Sequence, residues 1–269
     1  MAEGTGASRF TRADGTFDIP EIARALDAGE ELPASLIGNT ELAEALLDYF
    51  PDTVDLLSDE QLDQRRRDAI AQLRAKWLGS GLIPQRRSEA TLPVCAIVIG
   101  QTGAGKSSVI AMRVAAHLRA WLVDADEIKQ LLPEYRKGYG NQAVHRESAN
   151  IRTQFELRAQ LAEESYVHQM TGDDPDALLV MIERLHELGY RVWLYLVDVS
   201  TDVATGRSLQ RFHEGTQGYI PPSVTAAIGD QPVAAYNLAK GHADGYAKID
   251  NNDKPNCVEV HNAWVPEPL

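Results

Sequence analysis

Residues 100–108 of the sequence, GQTGAGKSS, combine side chains and backbone freedom suited to holding a phosphate group. Glycines let the backbone curl so that successive N–H groups point toward one anion. Lys106 adds a positive charge and Ser107 a hydroxyl, and the spacing Gly-x-x-x-x-Gly-Lys-Ser is that of a Walker A loop. The pattern predicts binding of ATP or GTP together with Mg²⁺. The nucleotide-binding residues predicted from the loop are Gly100, Gln101, Thr102, Gly103, Ala104, Gly105, Lys106, Ser107 and Ser108.

Two carboxylates stand close together in the later stretch WLVDADEIKQLL. Asp124 and Asp126 end an apolar run, and alternate residues at the end of a strand point the same way. Both can then face the terminal phosphate, where one would hold Mg²⁺ and the other would accept the proton of an attacking hydroxyl. The pair indicates phosphate transfer, although either residue could instead cap the helix that follows.

The elements that must position these residues alternate between strands and helices from residue 93 onward. A fully apolar stretch, PVCAIVIG, leads into the loop and is typical of a parallel strand covered on both faces. Further apolar runs alternate with stretches of helical periodicity toward the end of the chain. The sequence predicts an α/β fold, a P-loop NTPase-type parallel sheet with helices on both faces, preceded by a small helical segment.

The predicted organisation of the chain has three parts. Residues 1–19 lack an apolar core and are expected to form a disordered tail. Residues 20–85 carry apolar side chains at helical spacing and form the N-terminal helical segment. Residues 93–269 form the phosphate-loop domain.

The composition of the chain narrows the classes of partner. Its 269 residues carry a net charge of −13, which disfavours a broad nucleic-acid-binding surface. Cys95 and Cys257 provide no disulfide framework and fit a reducing compartment. No apolar run is long enough to cross a bilayer, so we expect a cytoplasmic protein without a membrane partner. A GTPase should show Asn-Lys-x-Asp after a late strand, and IDNNDKPN contains these letters in another order.

Several stretches, in this order, resemble the zeta-toxin family of P-loop kinases. They are GQTGAGKSS, VDADEIKQLLPEY, VHRESANI, YVHQMTGDDPD, LGYRVWLYLVDVS, LQRFHEGTQGYIPPSV and KIDNNDKP, within about residues 93–262. Members of this family phosphorylate the 3′-hydroxyl of the sugar in UDP-N-acetylglucosamine, and a small helical antitoxin neutralises them. The resemblance implies the same ATP- and Mg²⁺-dependent activity, acceptor and partner here, with residues 93–269 as the kinase domain.

The resemblance also implies a role for each matching residue. Asp126 matches the catalytic base, and Asp124 its helper near Mg²⁺, which Ser107 would also ligate. Lys106 matches the Walker A lysine, and Arg211 matches an arginine that clamps the transferring phosphate. The substrate-binding residues implied by the resemblance are Asp126, Glu147, Ser148, Gln169 and Thr171.

Two positions depart from the family's pattern. Gln169-Met170 stands where the family has an acidic residue followed by glycine, and an amide can donate a hydrogen bond but cannot act as a base. Gly218 stands where a second lid arginine is expected. Arg207, one helical turn before Arg211, would then take part in nucleotide binding and compensate in part. These departures indicate weak chemistry or another acceptor.

Alternatives to the nucleotide-sugar kinase therefore stay open. The chain could phosphorylate a metabolite, a nucleoside or, less readily for an acidic protein, a polynucleotide. It could also be a nucleotide-binding protein with reduced catalysis. The N-terminal helical segment lies outside the resemblance and could be an antitoxin-like cover over the nucleotide cleft, a delivery module or a plain extension.

Overall fold

The computed structural model describes residues 9–82, 84, 86–88 and 91–269. The chain divides into two compact units. The helical unit comprises Met1–Arg66, Asp126–Asn150 and Ser208–Pro221. The sheet unit comprises Arg67–Ala125, Ile151–Arg207 and Pro222–Leu269. Each unit thus collects segments that are far apart in the sequence.

A six-stranded sheet with the order β2-β3-β1-β4-β5-β6 organises the sheet unit. Neighbouring strands pair in parallel except β5 and β6, which are antiparallel. The predicted α/β fold is confirmed, with an antiparallel strand at one edge of a mostly parallel sheet. The strands are β1 (Val94–Ile99), β2 (Trp121–Val123), β3 (Tyr166–Met170), β4 (Arg191–Asp198), β5 (Gly245–Asp250) and β6 (Asn256–His261).

Helices cover the sheet and supply the rest of the fold. The apolar strand β1 is buried at every residue, as expected for a central parallel strand covered on both faces. The helices are α1 (Ile19–Asp27), α2 (Thr40–Leu46), α3 (Thr53–Leu56), α4 (Asp59–Gly79), α5 (Met112–Leu118), α6 (Ala125–Gln130), α7 (His145–Leu161), α8 (Pro175–Glu187), α9 (Thr201–His213), α10 (Pro222–Ile228) and α11 (Gln231–Ala239). A π-helical turn covers Ser107–Ala111, and 3₁₀ segments cover Pro133–Gly138 and Lys240–His242.

Local sequence signals explain where α8 begins and ends. The Asp174 carboxylate accepts a hydrogen bond of 2.9 Å from the backbone N–H of Ala177, and Pro175 occupies the first turn. A side-chain acceptor at this position satisfies a backbone donor that the helix leaves unpaired. Gly189 follows the helix with a φ of +80°, a conformation that glycine adopts without steric cost.

A hydrophobic core of its own holds the helical unit together. Side chains of α1 and α2 pack with residues from the two later segments of this unit. Asn39 caps α2 by accepting a hydrogen bond of 2.9 Å from the N–H of Leu42. The buried members of this core include Phe10, Ile22, Leu26, Leu42, Leu46, Tyr139, Ala143, Phe212 and Tyr219.

Residues 1–8 of the predicted disordered tail, which spans residues 1–19, lie outside the described residues, and for them the tail stays a prediction. Phe10 is buried in the core of the helical unit, and Thr11 forms an antiparallel bridge with Phe17. Burial of a large aromatic side chain favours an ordered chain at this position. The predicted separation of residues 20–85 from 93–269 stays a prediction, because compactness alone does not show independent folding. None of the helices in the described part of the chain is long and apolar enough to span a membrane.

Candidate active site

The phosphate loop turns tightly between β1 and the helical turn at Ser107. Gly103 and Gly105 have φ values of +86° and +87°, which side-chain-bearing residues rarely adopt. A Cβ atom on Gly103 would lie 2.1 Å from the Ala204 carbonyl oxygen, and one on Gly105 would lie 2.8 Å from Nδ2 of Asn251. The loop therefore fits against α9 and Asn251 only because these two residues have no side chain.

Lys106 bends back over this loop. Its Nζ atom donates hydrogen bonds to the carbonyl oxygens of Gly100 at 2.7 Å and Gln101 at 3.1 Å. The ammonium group is thus held inside the curl of the loop, where the sequence predicts a phosphate. Gln101 is itself buried and donates through Nε2 to the Gly229 carbonyl oxygen at 2.8 Å, which fixes the other side of the turn.

Ser107, Asp124 and Gln169 form a closed polar triangle in the sheet unit. Ser107 Oγ lies 3.1 Å from Asp124 Oδ2 and 3.0 Å from Gln169 Oε1, two acceptors for its single proton. Gln169 Nε2 donates to the same Asp124 oxygen at 3.1 Å. The structure thus brings together three residues that the sequence assigned to metal and substrate binding.

The oxygen atoms of this triangle suit Mg²⁺, which prefers hydroxyl, carboxylate and phosphate oxygens. Ser107 and Asp124 would hold the ion, and bound nucleotide and water would complete its ligands. Within the described residues, no group of three or more His, Cys, Asp or Glu side chains could hold a metal ion by itself.

Asn251 contacts the phosphate loop, a contact that the sequence did not predict. Its buried side chain donates through Nδ2 to the Ala104 carbonyl oxygen at 2.7 Å. Arg207 in turn donates to the Asn251 carbonyl oxygen at 2.8 Å. Arg207 is thus linked to the phosphate loop through Asn251, and only the asparagine run of KIDNNDKP could have signalled this.

The two predicted carboxylates fall in different units. Asp124 is the last residue before α6 and belongs to the sheet unit, whereas Asp126 lies in the first turn of α6 and belongs to the helical unit. The Asp126 side chain is half-exposed and pairs at 3.0 Å with the buried Lys129 ammonium. The expectation that both carboxylates face one phosphate stays a prediction.

The predicted substrate residues Glu147 and Ser148 are both buried in the first turn of α7. Glu147 Oε1 lies 3.1 Å from Nε of Arg65 in an ion pair. Burial raises the pKa of the Glu147 carboxyl, opposed by the neighbouring Thr53 hydroxyl and by Arg65. The Ser148 hydroxyl donates to the His145 carbonyl oxygen at 2.8 Å within its own helix. Their contact with a substrate stays a prediction.

The remaining predicted residues are Thr171 in the sheet unit and Arg211 in the helical unit. Thr171 Oγ1 donates to Asp173 at 2.6 Å, and its carbonyl oxygen accepts from the Gly100 N–H at 3.1 Å. Arg211 Nη1 donates to Oε1 of Gln217 at 3.3 Å. Arg211 thus contacts the segment in which the family's second arginine is expected.

The departure at Gly218 has a packing reason. A Cβ atom on Gly218 would lie 2.6 Å from Cβ of Asn141, so an arginine cannot occupy this position without a local shift. Asn141 also donates through Nδ2 to the Tyr219 carbonyl oxygen at 3.0 Å, which holds the two segments together. The packing of Gly218 against Asn141 in the helical unit therefore explains why no arginine occupies this position.

Restoring the family's acidic residue with Gln169→Glu should make stability depend more strongly on pH. It would place a second carboxylate beside Asp124, in place of the amide that donates to it at 3.1 Å. Like charges at this distance raise the pKa of one carboxyl, so the variant should lose stability as pH rises through that raised value. We expect the Tm difference between pH 5 and pH 8, relative to the parent protein, to widen by several degrees. The exposed Gln72→Glu is the matched control, and equal pH profiles for both variants would contradict the geometry.

Glu147→Gln tests whether burial raises the pKa of the Glu147 carboxyl. The folded-state pKa of Glu147 is raised above the ordinary 4.5, chiefly because the side chain is buried. The negative charges of Glu134 and Asp52 raise this pKa further, whereas Arg65 lowers it. Ionisation of Glu147 then lowers stability as pH rises from about 4.5 through the folded-state pKa. The Gln variant lacks this loss, so its free energy of unfolding relative to the parent should increase over that range and then level off. Urea unfolding at a series of pH values measures it, and a relative stability that falls with pH would contradict this assignment.

Comparison with known proteins identifies a family that this chain matches. The family described as Zeta toxin matches residues 83–236. A structure from the PezAT chromosomal toxin–antitoxin system of Streptococcus pneumoniae has a TM-score of 0.58 at 15% identity, covering 74% of this chain and 81% of that one. The AvrRxo1-ORF1:-ORF2 structure with ATP has a TM-score of 0.53 at 20% identity, covering 74% of this chain and 64% of that one. No curated protein sequence matches the chain significantly.

The two structural likenesses show a shared fold, and the family match covers more than half of the chain, including the phosphate loop and the acidic pair. On this evidence the chain, with its P-loop kinase fold, belongs to the zeta toxin family.

Proposed function

We propose that this chain is an ATP-dependent phosphotransferase that acts on a sugar hydroxyl of a nucleotide sugar such as UDP-N-acetylglucosamine. The observation that carries the proposal is the phosphate loop, in which Lys106 is held inside a glycine curl and Ser107 contacts Asp124. The loop geometry supports the nucleotide, and membership of the zeta toxin family supports the acceptor.

In the proposed reaction, backbone N–H groups of the loop and Lys106 bind the β- and γ-phosphates of ATP. Bound Mg²⁺ would neutralise phosphate charge, held by Ser107 and Asp124. The acceptor hydroxyl forms a bond to the γ-phosphorus, the bond to the ADP oxygen breaks, and Asp126 takes the hydroxyl proton. Arg211 stabilises the negative charge that spreads over the transferred group.

A second candidate is a nucleotide-binding protein with reduced catalysis, or a kinase of another acceptor. The specific observation in its favour is that Gln169 is already committed to Ser107 and Asp124, while Gly218 has no room for an arginine. The phosphate loop keeps its geometry in this alternative, so ATP binding does not separate the candidates. Only a measurement of phosphate transfer to defined acceptors does.

An antitoxin partner belongs to the same proposal. The S. pneumoniae structure comes from a toxin–antitoxin system, and AvrRxo1-ORF1 was crystallised with ORF2. By analogy, a helical antitoxin would neutralise this chain when both are produced in one cell.

Asp126→Asn is the decisive variant for the proposed function. Incubation with Mg²⁺, ATP labelled at the γ-phosphate and UDP-N-acetylglucosamine should give phosphorylated sugar for the parent protein. Transfer should fall roughly 100-fold or more in the variant, because positioned general bases contribute about 10²–10⁴-fold. ATP binding, followed by calorimetry, should stay unchanged.

The exposed Asp253→Asn is the matched control and should transfer normally. Transfer only to another acceptor in a panel of nucleotide sugars, nucleosides and metabolites would favour the different-acceptor alternative. ATP binding by the parent without any transfer would overturn the phosphotransferase in favour of reduced catalysis.

A further inference from the structure

We infer that Arg65, outside the region of the family resemblance, is a positioning residue for the acceptor side of the enzyme. The inference rests on the proposed function for its kinetic consequence, and on contacts within the helical unit for its structural one. Arg65 lies in α4, in the N-terminal segment, whereas its partners lie in the segment that carries Asp126, Glu147 and Ser148.

Arg65 joins two carboxylates of that segment. Its guanidinium donates to both oxygens of Glu134, through Nη1 at 3.1 Å and through Nη2, and its Nε pairs with Glu147 at 3.1 Å. Burial by itself would lower the pKa of Arg65, but Glu134 and Glu147 raise it. A planar fork can hold two carboxylates in fixed directions, which a single ammonium cannot do.

The chain held by Arg65 has a conformation that needs external support. Within Pro133–Gly138, Arg136 and Lys137 have φ values of +48° and +54°, in the left-handed region. Residues with a side chain adopt this conformation only at a steric cost, because the Cβ atom approaches the following carbonyl oxygen. Two such residues in succession persist only where surrounding contacts hold them.

Further contacts come from the N-terminal segment. Arg136 donates through Nε to Asp27 at 2.7 Å, and its guanidinium carbon lies 3.9 Å from the centre of the Phe50 ring. Tyr139 donates through its hydroxyl to the Leu36 carbonyl oxygen. Residues 27–65 thus contribute the support for this left-handed segment from several elements.

The left-handed segment lies along the chain between α6, which carries Asp126, and α7, which begins with the turn of Glu147 and Ser148. Its path therefore fixes the separation and orientation of the predicted base and the predicted substrate residues. On this view α4 supports the acceptor side of the helical unit through one residue, Arg65, which contacts Glu134 and Glu147.

Arg65→Lys is the informative variant, and Arg66→Lys is its matched control. Lysine keeps a positive charge for Glu147 but loses the fork that holds Glu134, so global stability should change little. Arg66 pairs with Asp63 one turn away on the same helix. We expect Arg65→Lys to raise the KM for UDP-N-acetylglucosamine about tenfold, because acceptor binding must then supply the ordering of this segment that one charge-assisted hydrogen bond supplies in the parent. The Kd for ATP should stay unchanged, because the phosphate loop lies in the sheet unit.

Amide hydrogen exchange tests whether Arg65 supports the left-handed segment, and this measurement does not depend on enzymatic activity. Exchange over residues 131–141 should accelerate at least tenfold in Arg65→Lys and stay at the parent rate in Arg66→Lys, while exchange over residues 94–118 should not change. If the parent phosphorylates no nucleotide sugar, the proposed function fails and the exchange result alone decides the inference. Parent-like exchange in residues 131–141, or a KM and Kd that change together, would overturn it.

Discussion

The absence of side chains at Gly103 and Gly105 is the constraint on which the nucleotide side of this protein depends. Ala204 and Asn251 approach the loop so closely that a Cβ atom at either glycine would collide with them. In the same loop the Lys106 ammonium donates to the Gly100 carbonyl oxygen, and Ser107 contacts Asp124. Phosphate binding therefore depends on contacts with α9 and the end of β5 as well as on the loop's own sequence.

The sequence could predict this part of the molecule because its signals are local. Strand β1 is apolar throughout, the loop has a fixed spacing, and the glycines mark a turn that few other residues permit. The parallel sheet followed from the alternation of apolar and helical stretches. Asn251 escaped prediction because its role depends on where β5 lies in the sheet, and nothing near it in the sequence records that position.

The helical unit was harder to predict for the same reason. Its members come from three separate stretches, so the pairing of Arg65 with Glu134 and Glu147 spans 69 and more residues of sequence. The run DQRRRD reads most simply as a solvated helix face, and nothing in it distinguishes Arg65 from Arg66. Only long-range packing shows that Arg65 pairs with the distant Glu134 and Glu147, while Arg66 pairs within its own helix.

Gln169 places an amide, in contact with Ser107 and Asp124, where the family pattern has an acidic residue. An acidic residue at this position would compete with Asp124 for protons and for the Ser107 hydroxyl, whereas the amide donates to Asp124 and leaves its charge available to a cation. The neutral side chain thus leaves Asp124 as the charged member of the triangle with Ser107 and Gln169. It cannot act as a base or pair with a cationic group of an acceptor, so any change that it causes should appear in acceptor choice before ATP binding. The loss of the acid at this position therefore bears on the acceptor more directly than on the nucleotide.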